Sequence, residues 1–282
     1  MPLLGMIKFA TQNIKPLIKQ FLESVYIKSL EKAAGEQGLN TFVNRLEAVV
    51  PDITNQYSTC KIDTHYLKTK LRRLHAFQIS LVNEVISEFK NPVIVDIGDS
   101  AGTHLQYLMS LFPNIKCLSI NLDKDAVERI KGKGIDAIHA RAEDLDRYNI
   151  DVDVFLCFQV LEHLMNPCMF LHNLSEKTNA KFLVVTVPYV RKSRVGLHHI
   201  RRGSEEIVKA ENTHIFELSP ADWKLIVKHS GWNIVKKRIY SQYPRRGFLR
   251  ITKALWKRFD YEGFYGMILT RNNAWSSKYM DW

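Results

Sequence analysis

The sequence is poor in cysteine, and its four cysteines do not form a metal-binding or disulfide framework. Cys60, Cys117, Cys157 and Cys168 include no pair at CxxC spacing. Cys117 and Cys157 fall inside apolar, strand-like runs, where a thiol packs as a small hydrophobic group. We therefore exclude a zinc ribbon and a disulfide-stapled scaffold.

Long apolar runs are also missing, as are internal repeats and low-complexity tracts. No uninterrupted apolar stretch approaches the roughly 20 residues that a bilayer-spanning helix requires. The first residues lack the charged start, long apolar middle and small-residue cleavage site of a secretory signal, so we expect a cytoplasmic protein. The chain has 282 residues and 46% hydrophobic content, which suffices for one large domain or two small ones.

The net charge of +11 is unevenly distributed along the chain. Residues 1–92 carry +4, residues 93–188 carry −4, residues 189–260 carry +11 and residues 261–282 are neutral overall. A basic surface steers anionic partners towards a protein. Residues 189–260 therefore indicate an anionic acceptor, a nucleic acid or a lipid surface, with solvated lysines and arginines as the alternative.

Short apolar runs alternate with helix-like segments between residues 93 and 188, which predicts βαβ units and an α/β fold. The runs consist mostly of Val, Ile, Leu and Phe without strict alternation, as in buried parallel strands. Five of them are VIVDI, KCLSI, DAIHA, VDVFLCF and KFLVVTV, and two later runs are NIVKKRIY and FYGMILT. The sequence thus predicts a core of about seven strands. A helix capped by Ser219 is expected before the sixth strand.

Residues 1–92 show only helical spacing of apolar side chains, so we predict a helical N-terminal extension or cap there. The main domain is then expected at 93–282, including a basic loop and C-terminal insert at about 189–260. In the helix predicted over residues 64–89, His75 and Gln78 interrupt an otherwise apolar stripe. They are either part of a cleft or polar residues satisfied by packing.

The stretch VIVDIGDSAGTHLQYL contains the strongest local signal of a binding site. A strand ends in Asp96, the chain turns through Gly98 and Gly102, and Thr103 opens a helix. Glycines permit a tight turn and close approach of a ligand, and such turns lie at the carboxyl ends of parallel strands. The turn predicts a nucleotide-like ligand, although a simple bend between strand and helix has the same glycines.

Four segments occur in the order typical of one enzyme family: Asp96–Gly102, Ala142–Leu145, Gln159–Pro167 with its VLEHL turn, and His214–Trp232. Together they resemble the class I S-adenosylmethionine-dependent methyltransferases over about residues 93–240. The resemblance implies a Rossmann-like, seven-stranded sheet with helices on both faces, mostly parallel and with one antiparallel strand near an edge. It also implies methyl transfer with S-adenosylmethionine as cofactor.

The resemblance assigns cofactor roles to positions along these segments. The glycine turn would surround the methionine and ribose end, the end of the second strand would bind the ribose, and the Ala-Glu pair would meet the adenine. The residues concerned are Asp96, Gly98, Ser100, Gly102, Asn121, Asp123, Ala142, Glu143 and Gln159.

Three positions depart from the family pattern. Ser100 replaces the second glycine of the turn, Asn121 replaces the expected ribose-binding acid, and Arg141 replaces an Asp before the Ala-Glu pair. An Asn can still hydrogen-bond two hydroxyls, although Asp123 is a rival for that role. These departures predict weaker cofactor binding than is typical, and a cofactor-binding relative without turnover stays an alternative.

Catalysis of methyl transfer requires positioning of the acceptor and, for a hydroxyl acceptor, removal of its proton. His163 is the first candidate base, with Glu162 or a neighbour orienting its ring. His214 is the second candidate, and His198 and His199 lie in the basic loop. The alternative is that Glu162 and His163 only fix a loop.

A metal-dependent mechanism is weighed because Glu162, His163 and His214 resemble part of the metal site of the small-RNA 2′-O-methyltransferases. Gln159 stands where that pattern has a first Glu, which removes a hard anionic ligand. We therefore expect no metal.

Three acceptor classes compete: a sugar, glycan precursor or other hydroxylated metabolite, an RNA, or no acceptor at all. Basic and aromatic residues interleave near residue 245, as RNA binding would require; they are Tyr240, Tyr243, Arg245, Arg246 and Phe248. In the stretch 245–259, Phe248, Ile251, Leu255 and Phe259 have helical spacing beside many cations, which suits an anionic membrane surface or docking on the N-terminal helices. We favour O-methylation of a small, anionic hydroxylated acceptor such as a glycan precursor, with peripheral membrane association as an option.

Overall fold

The computed structural model describes residues 16–58, 60–147, 151–195, 203, 213–259 and 261–279. Within these residues, three helices precede the first strand: α1 (Pro16–Glu36), α2 (Asn40–Val49) and α3 (His65–Ile86). Helix α3 begins after Thr64, whose hydroxyl accepts a hydrogen bond from the Leu67 N–H and so caps the first turn. The predicted N-terminal helices are confirmed.

Strands and helices then alternate, as the apolar runs predict. The strands are β1 (Val93–Ile97), β2 (Lys116–Asn121), β3 (Asp136–His139), β4 (Val154–Phe158), β5 (Phe182–Tyr189), β6 (Arg194–Val195), β7 (Phe216–Glu217), β8 (Trp232–Ser241) and β9 (Gly263–Arg271). The helices are α4 (Thr103–Leu111), α5 (Lys124–Lys131), α6 (Pro167–Lys177), α7 (Pro220–His229) and α8 (Thr252–Phe259). Ser219 caps α7 as predicted, because its hydroxyl oxygen accepts from the Asp222 N–H.

Seven strands form one sheet in the order β3-β2-β1-β4-β5-β9-β8. Strands β1 to β5 pair in parallel, and β9 runs antiparallel to both of its neighbours, β5 and β8. The predicted mostly parallel sheet, with one antiparallel strand next to an edge strand, is confirmed. From β1 the strand order continues through β2 to β3 on one side, whereas β4 and β5 lie on the other side. This change in strand order opens a crevice between β1 and β4 at their carboxyl ends.

The sheet is covered on both faces. On one face, Phe77 of α3 and Leu105 of α4 belong to the same buried cluster as Ile94 and Leu156 of the strands. On the other face, helices α6 and α7 contribute to a second cluster around Val95, Cys157 and Val185. This burial explains the continuous apolar runs, since each central strand presents apolar side chains to both layers.

The boundary predicted at residue 92 falls between α3 and β1, but the hydrophobic core continues across it. Leu39, which directly precedes α2, and Leu46 of α2 share a buried cluster with Val184 and Ile268 of the sheet. The predicted loop residues His198 and His199, and the side chain of Phe259, lie outside the described part of the chain. Among the described residues, no helix combines the length and apolarity required to cross a bilayer.

Candidate active site

A cavity of about 280 Å³ lies at the carboxyl ends of β1, β2 and β4. Gly98, Asn121 and Gln159, which directly follow or end these strands, line it on one side. The other sides are formed by α3, by the segment around Tyr57 and by the start of β9. Ligands of open α/β sheets bind at this type of crevice.

The glycine turn forms the floor of the cavity. Gly98 has φ +90°, and a Cβ at this position would lie 2.7 Å from Cγ2 of Val160, so only glycine fits without rearrangement. Its N–H donates to the Ile120 carbonyl at 2.8 Å, which ties the turn to β2. Gly102 (φ +69°) instead packs against Ile130 behind the turn.

The predicted cofactor-binding residues divide into two groups. Those that line the cavity are Gly98, Ser100, Asn121, Ala142, Glu143 and Gln159. Asp96, Gly102 and Asp123 are not among its lining residues; Asp96 and Gly102 are buried, whereas Asp123 is partly exposed. Asp123 caps α5 by accepting from the Asp125 N–H, and it also accepts the hydroxyl of Ser58. Of the two rivals for the ribose, only Asn121 is therefore at the cavity surface.

The donor set on this side fits an adenosyl group. Asn121 offers an amide and Glu143 a carboxylate for polar edges, and the side chain of Leu122, 44% exposed, offers an apolar surface. Arg141, which replaces the expected Asp, forms an ion pair with Glu143 at 3.3 Å. Gln159 has φ +59°, a strained value for a residue with a side chain, and its amide donates to Thr186 Oγ1 at 3.2 Å.

A buried ion network supports the turn from below. His104 Nδ1 lies 3.1 Å from Asp96 Oδ2 and 3.5 Å from Asp99 Oδ2, and Nε2 lies 2.9 Å from Gln78 Oε1. Each of these partners is an acceptor, so both ring nitrogens donate and the ring is an imidazolium. Asp99 also accepts the backbone N–H of His104 at 3.0 Å, which places a carboxylate at the start of α4.

The charges in this network shift one another's titration. Burial disfavours the imidazolium, but Asp99 and Asp96 outweigh that penalty and raise the pKa of His104 to about 10. Burial and the nearby Asp99 raise the pKa of Asp96 to about 6 in spite of the His104 hydrogen bond. Burial opposes ionisation of Asp99 as well, yet His104 holds the pKa of Asp99 below its ordinary value.

The two polar residues of α3 belong to this wall. Gln78 bridges His104 and Thr186, to which its amide donates at 3.0 Å. The ring of His75 stacks edge-on against His104 with centroids 4.7 Å apart, and burial holds the pKa of His75 well below its ordinary value. Both residues line the cavity, as the cleft interpretation of the sequence expected.

The three predicted catalytic residues also meet at the cavity. Glu162 and His163 lie in the 3₁₀ turn Leu161–His163 after β4, and His214 precedes β7. A backbone hydrogen bond from Ile215 N to the Glu162 carbonyl, at 2.7 Å, joins the two segments. The rings of His163 and His214 are nearly perpendicular, with centroids 4.7 Å apart.

Acceptors at Nδ1 fix the orientation of both imidazole rings. His163 Nδ1 donates to the Thr213 carbonyl at 2.8 Å, so this carbonyl, and not the Glu162 carboxyl, orients the ring. His214 Nδ1 lies 2.9 Å from Glu217 Oε1, and the Tyr261 hydroxyl donates to the same carboxylate. Burial opposes ionisation of Glu217, but hydrogen bonds from His214, Tyr261 and Arg194 lower the pKa of Glu217 to about 2.

Glu162 is fully buried, and neither of its carboxyl oxygens has a hydrogen-bonding partner in the described part of the protein. Burial, with a smaller contribution from Glu217, raises the pKa of Glu162 to about 8. One ligand atom each from Glu162, His163 and His214 lies within 4.8 Å of the others. This cluster could therefore exchange a proton or hold a cation.

Several residues of the site carry no clear sequence signal. Asp99 and His104 fall inside the glycine turn and the helix after it, where the family resemblance assigns them no role. Tyr261 lies nearly 50 residues beyond His214 in sequence, and only the placement of β9 beside β5 brings the two together. A polar residue in the buried first turn of a helix, such as His104, is the one local signal that could have indicated the network.

Comparison with known proteins identifies a related sequence family and related folds. Residues 95–178 match the model of a family described as a methyltransferase domain. No curated protein matches the chain in sequence. The O-methyltransferase of a trans-AT PKS multienzyme from Brevibacillus brevis, solved with S-adenosyl-L-homocysteine, is 13% identical, with 73% of this chain and 74% of that chain covered and a TM-score of 0.52.

The same fold also occurs in a protein with a different activity. The [4+2]-cyclase SpnF is 12% identical, with 84% of this chain and 96% of that chain covered and a TM-score of 0.54. At these identities the structural likeness concerns the fold alone. Residues 95–178 thus match a methyltransferase domain in sequence, and the chain shares its fold with a methyltransferase solved with S-adenosyl-L-homocysteine.

Proposed function

We propose that the protein transfers a methyl group from S-adenosylmethionine to a hydroxyl of a small acceptor, such as a glycan precursor or a similar metabolite. The observation that carries this proposal is the position of His163 and His214 in the same cavity as the glycine turn. Cofactor-binding and proton-accepting groups then face a common space, as a methyl transfer to a hydroxyl requires.

The cofactor half would be formed by the ends of β1, β2 and β4. Asn121 would bind the ribose hydroxyls, Glu143 the adenine edge, and Gly98 and Gln159 the methionine part. When bound, S-adenosylmethionine supplies an electrophilic methyl group, and its carbon–sulfur bond breaks with the electron pair going to sulfur. The protein's task is to hold the acceptor oxygen in line with that bond and to exclude water.

His163 is the proposed base. Because its Nδ1 proton is donated to the Thr213 carbonyl, Nε2 holds the lone pair that accepts a proton from the acceptor hydroxyl. His214 would contact the acceptor from the adjacent side, with its ring oriented by Glu217. Glu162, protonated over most of the neutral range because burial raises its pKa to about 8, would add no further negative charge beside the two rings.

The acceptor half of the cavity favours a small molecule. Ile62, Leu67 and Leu71 give it an apolar wall, and the largely buried Lys70, whose ammonium lies 5.5 Å from the centroid of the Trp256 ring, also lines it. Of the three rings that RNA stacking would use, Tyr240 is 1% and Tyr243 9% exposed, so only Phe248 is available to stack on a base and the RNA alternative is weakened.

Incubating the protein with methyl-labelled cofactor and a cell extract, then separating lipid, glycan, RNA and protein pools, tests the acceptor class. We expect label in the glycan or small-molecule pool, or in a lipid-linked form of the acceptor. Label confined to RNA or protein would contradict the proposal. Cofactor binding with no label in any pool would favour a relative without turnover.

His163→Ala tests the base. We expect methyl transfer to fall about 10²- to 10⁴-fold while cofactor binding is retained. His65→Ala is a matched control, since His65 is exposed and is not a cavity residue. Full turnover of His163→Ala at every pH would remove the assignment, and activity lost in EDTA and restored by a divalent ion would favour cation binding by the same three side chains.

A further inference from the structure

The segment 245–259 is the most one-sidedly charged part of the described chain. It contains six Lys or Arg residues and no Asp or Glu. It folds as a 3₁₀ turn, Phe248–Ile251, followed directly by α8. Such a compact basic element needs a partner or a solvated surface to offset its charge.

The underside of this segment is fixed to the N-terminal helices. Thr252 and Trp256 are almost completely buried. Thr252 Oγ1 lies 2.8 Å from Ser29 Oγ, and the Trp256 ring packs edge-on against Tyr26 with centroids 4.7 Å apart. The segment is thus held in place by α1, and its opposite side faces outwards.

The outward side exposes large apolar groups among the cations. Phe248 is 85% and Ile251 66% exposed, the two highest values among the large hydrophobic residues of this segment. Arg245, Arg246 and Arg250 are exposed immediately around them. A single exposed hydrophobic residue is ordinary, but a neighbouring Phe and Ile surrounded by arginines form a patch with a specific chemistry.

We propose that this outward side, here called the basic apolar face (Arg245, Arg246, Phe248, Arg250, Ile251 and Lys253), docks on an anionic lipid bilayer. The cations complement the phosphates and carboxylates of anionic headgroups, while Phe248 and Ile251 enter the boundary between headgroups and acyl chains. RNA would require exposed rings for stacking, and Tyr243, the nearest other ring, is buried with the Lys253 ammonium 5.5 Å from its centroid.

The side chains of Trp256 and Lys70 lie between the basic apolar face and the cavity. Beneath the face, Trp256 packs on Tyr66, and the Lys70 ammonium lies 5.5 Å from the Trp256 ring. Lys70 itself lines the acceptor half of the cavity. Docking would hold this half near the membrane, where an acceptor attached to a lipid is present. The docking proposal does not depend on the methyl-transfer proposal, because it concerns a different surface.

Co-sedimentation with vesicles tests the proposal on the full chain. We expect binding to vesicles of phosphatidylcholine with phosphatidylserine at least about tenfold tighter than binding to phosphatidylcholine alone, and weaker binding when salt rises well above about 0.1 M. The double variant Phe248→Ser with Ile251→Ser should lose about tenfold in vesicle affinity. The triple variant Arg245→Glu, Arg246→Glu and Arg250→Glu should abolish the preference for anionic vesicles.

The double variant Leu225→Ser with Val235→Ser is the matched control, since these residues are 56% and 53% exposed on other parts of the surface. It should bind anionic vesicles like the wild type, and circular dichroism should confirm that every variant is folded. Equal binding to both kinds of vesicle, or wild-type binding by the Phe248 and Ile251 variant, would overturn the proposal. Tighter binding to RNA than to vesicles, lost only in the arginine variant, would assign the face to nucleic acid instead.

Discussion

At the scale of single residues, the buried network around His104 has the strongest electrostatic consequences. Two carboxylates and an imidazolium lie side by side with almost no exposed surface, Asp99 and His104 also line the cavity, and the imidazolium stabilises both carboxylates as ions. Breaking such a group by removing one partner costs more than the network itself contributes, because it leaves buried charge uncompensated. The network therefore supports the glycine turn, but substitution of one of its residues is expected to destabilise the protein strongly.

This network predicts a specific dependence of stability on pH. The pKa of His104 is about 10 in the folded protein against about 6.5 in the unfolded chain, so its contribution is fully present below pH 6.5 and is lost as the pH rises through 10. Asp99, whose pKa is lowered on folding, contributes above its unfolded pKa and loses this contribution in acid. Urea unfolding of wild type and His104→Asn between pH 6 and 10 measures the difference.

We expect His104→Asn to lower the free energy of unfolding by about 3 to 5 kcal/mol at neutral pH. The gap between the two proteins should shrink as the pH rises from 6.5 towards 10, because the folded wild type still binds a proton that the unfolded chain has released. The exposed His65→Asn is the control and should follow the wild type throughout. A gap that is constant from pH 6 to 10 would show that His104 is not charged in the folded protein.

At the scale of secondary structure elements, the strands were the most predictable part of the fold. Runs such as VIVDI and KFLVVTV indicate strands buried on both faces, and β1 and β5 coincide with them. The ends of the strands also predict many of the residues that line the cavity, because parallel strands bring their carboxyl ends to one edge of the sheet. The sequence could not predict whether Asn121 or Asp123 lines the cavity. Asp123 caps α5 instead, and only the folded structure shows this.

The segment 245–259 shows why helical spacing alone is insufficient. The spacing grouped Phe248, Ile251 and Leu255 into one stripe, for which docking on the N-terminal helices was one alternative. The structure docks the segment through Thr252 and Trp256 instead, because the Trp256 ring packs against both Tyr26 and Tyr66 while Phe248 is exposed. The Trp256 ring, and not the helical stripe of Phe248, Ile251 and Leu255, therefore determines which side of the segment is buried.

This arrangement predicts a large loss of stability for one aromatic substitution and almost none for another. Trp256→Ala should lower the free energy of unfolding by about 3 to 5 kcal/mol, because it leaves a cavity between α8 and α1. Phe248→Ala should change it by less than about 0.5 kcal/mol, because the ring is 85% exposed. Chemical unfolding monitored by circular dichroism measures both. Similar losses for the two variants would show that Phe248, too, is packed in the folded protein.

At the scale of the whole molecule, the acidic and the basic segments of the chain both contribute residues to the cavity at the carboxyl ends of the strands. The acidic segment 93–188 supplies the glycine turn and most of the strand ends, and the basic segment 189–260 supplies His214 and the basic apolar face. The class of reaction could be predicted from four motifs in order. The acceptor could not, because the acceptor half is formed by α3, Tyr57 and Tyr261, which no motif connects and only the fold brings together.

Titration calorimetry with S-adenosylmethionine tests the central claim, that the cavity at the ends of β1, β2 and β4 binds this cofactor. Wild type should bind it, Gly98→Arg should abolish binding because the turn has no room for a side chain, and Asn121→Ala should weaken binding about tenfold, since a charge-neutral hydrogen bond is lost. Asp123→Ala should keep the wild-type affinity and lose only about 1 kcal/mol of stability from the α5 cap. No binding by the folded wild type, or unchanged binding by both Gly98→Arg and Asn121→Ala, would contradict the account.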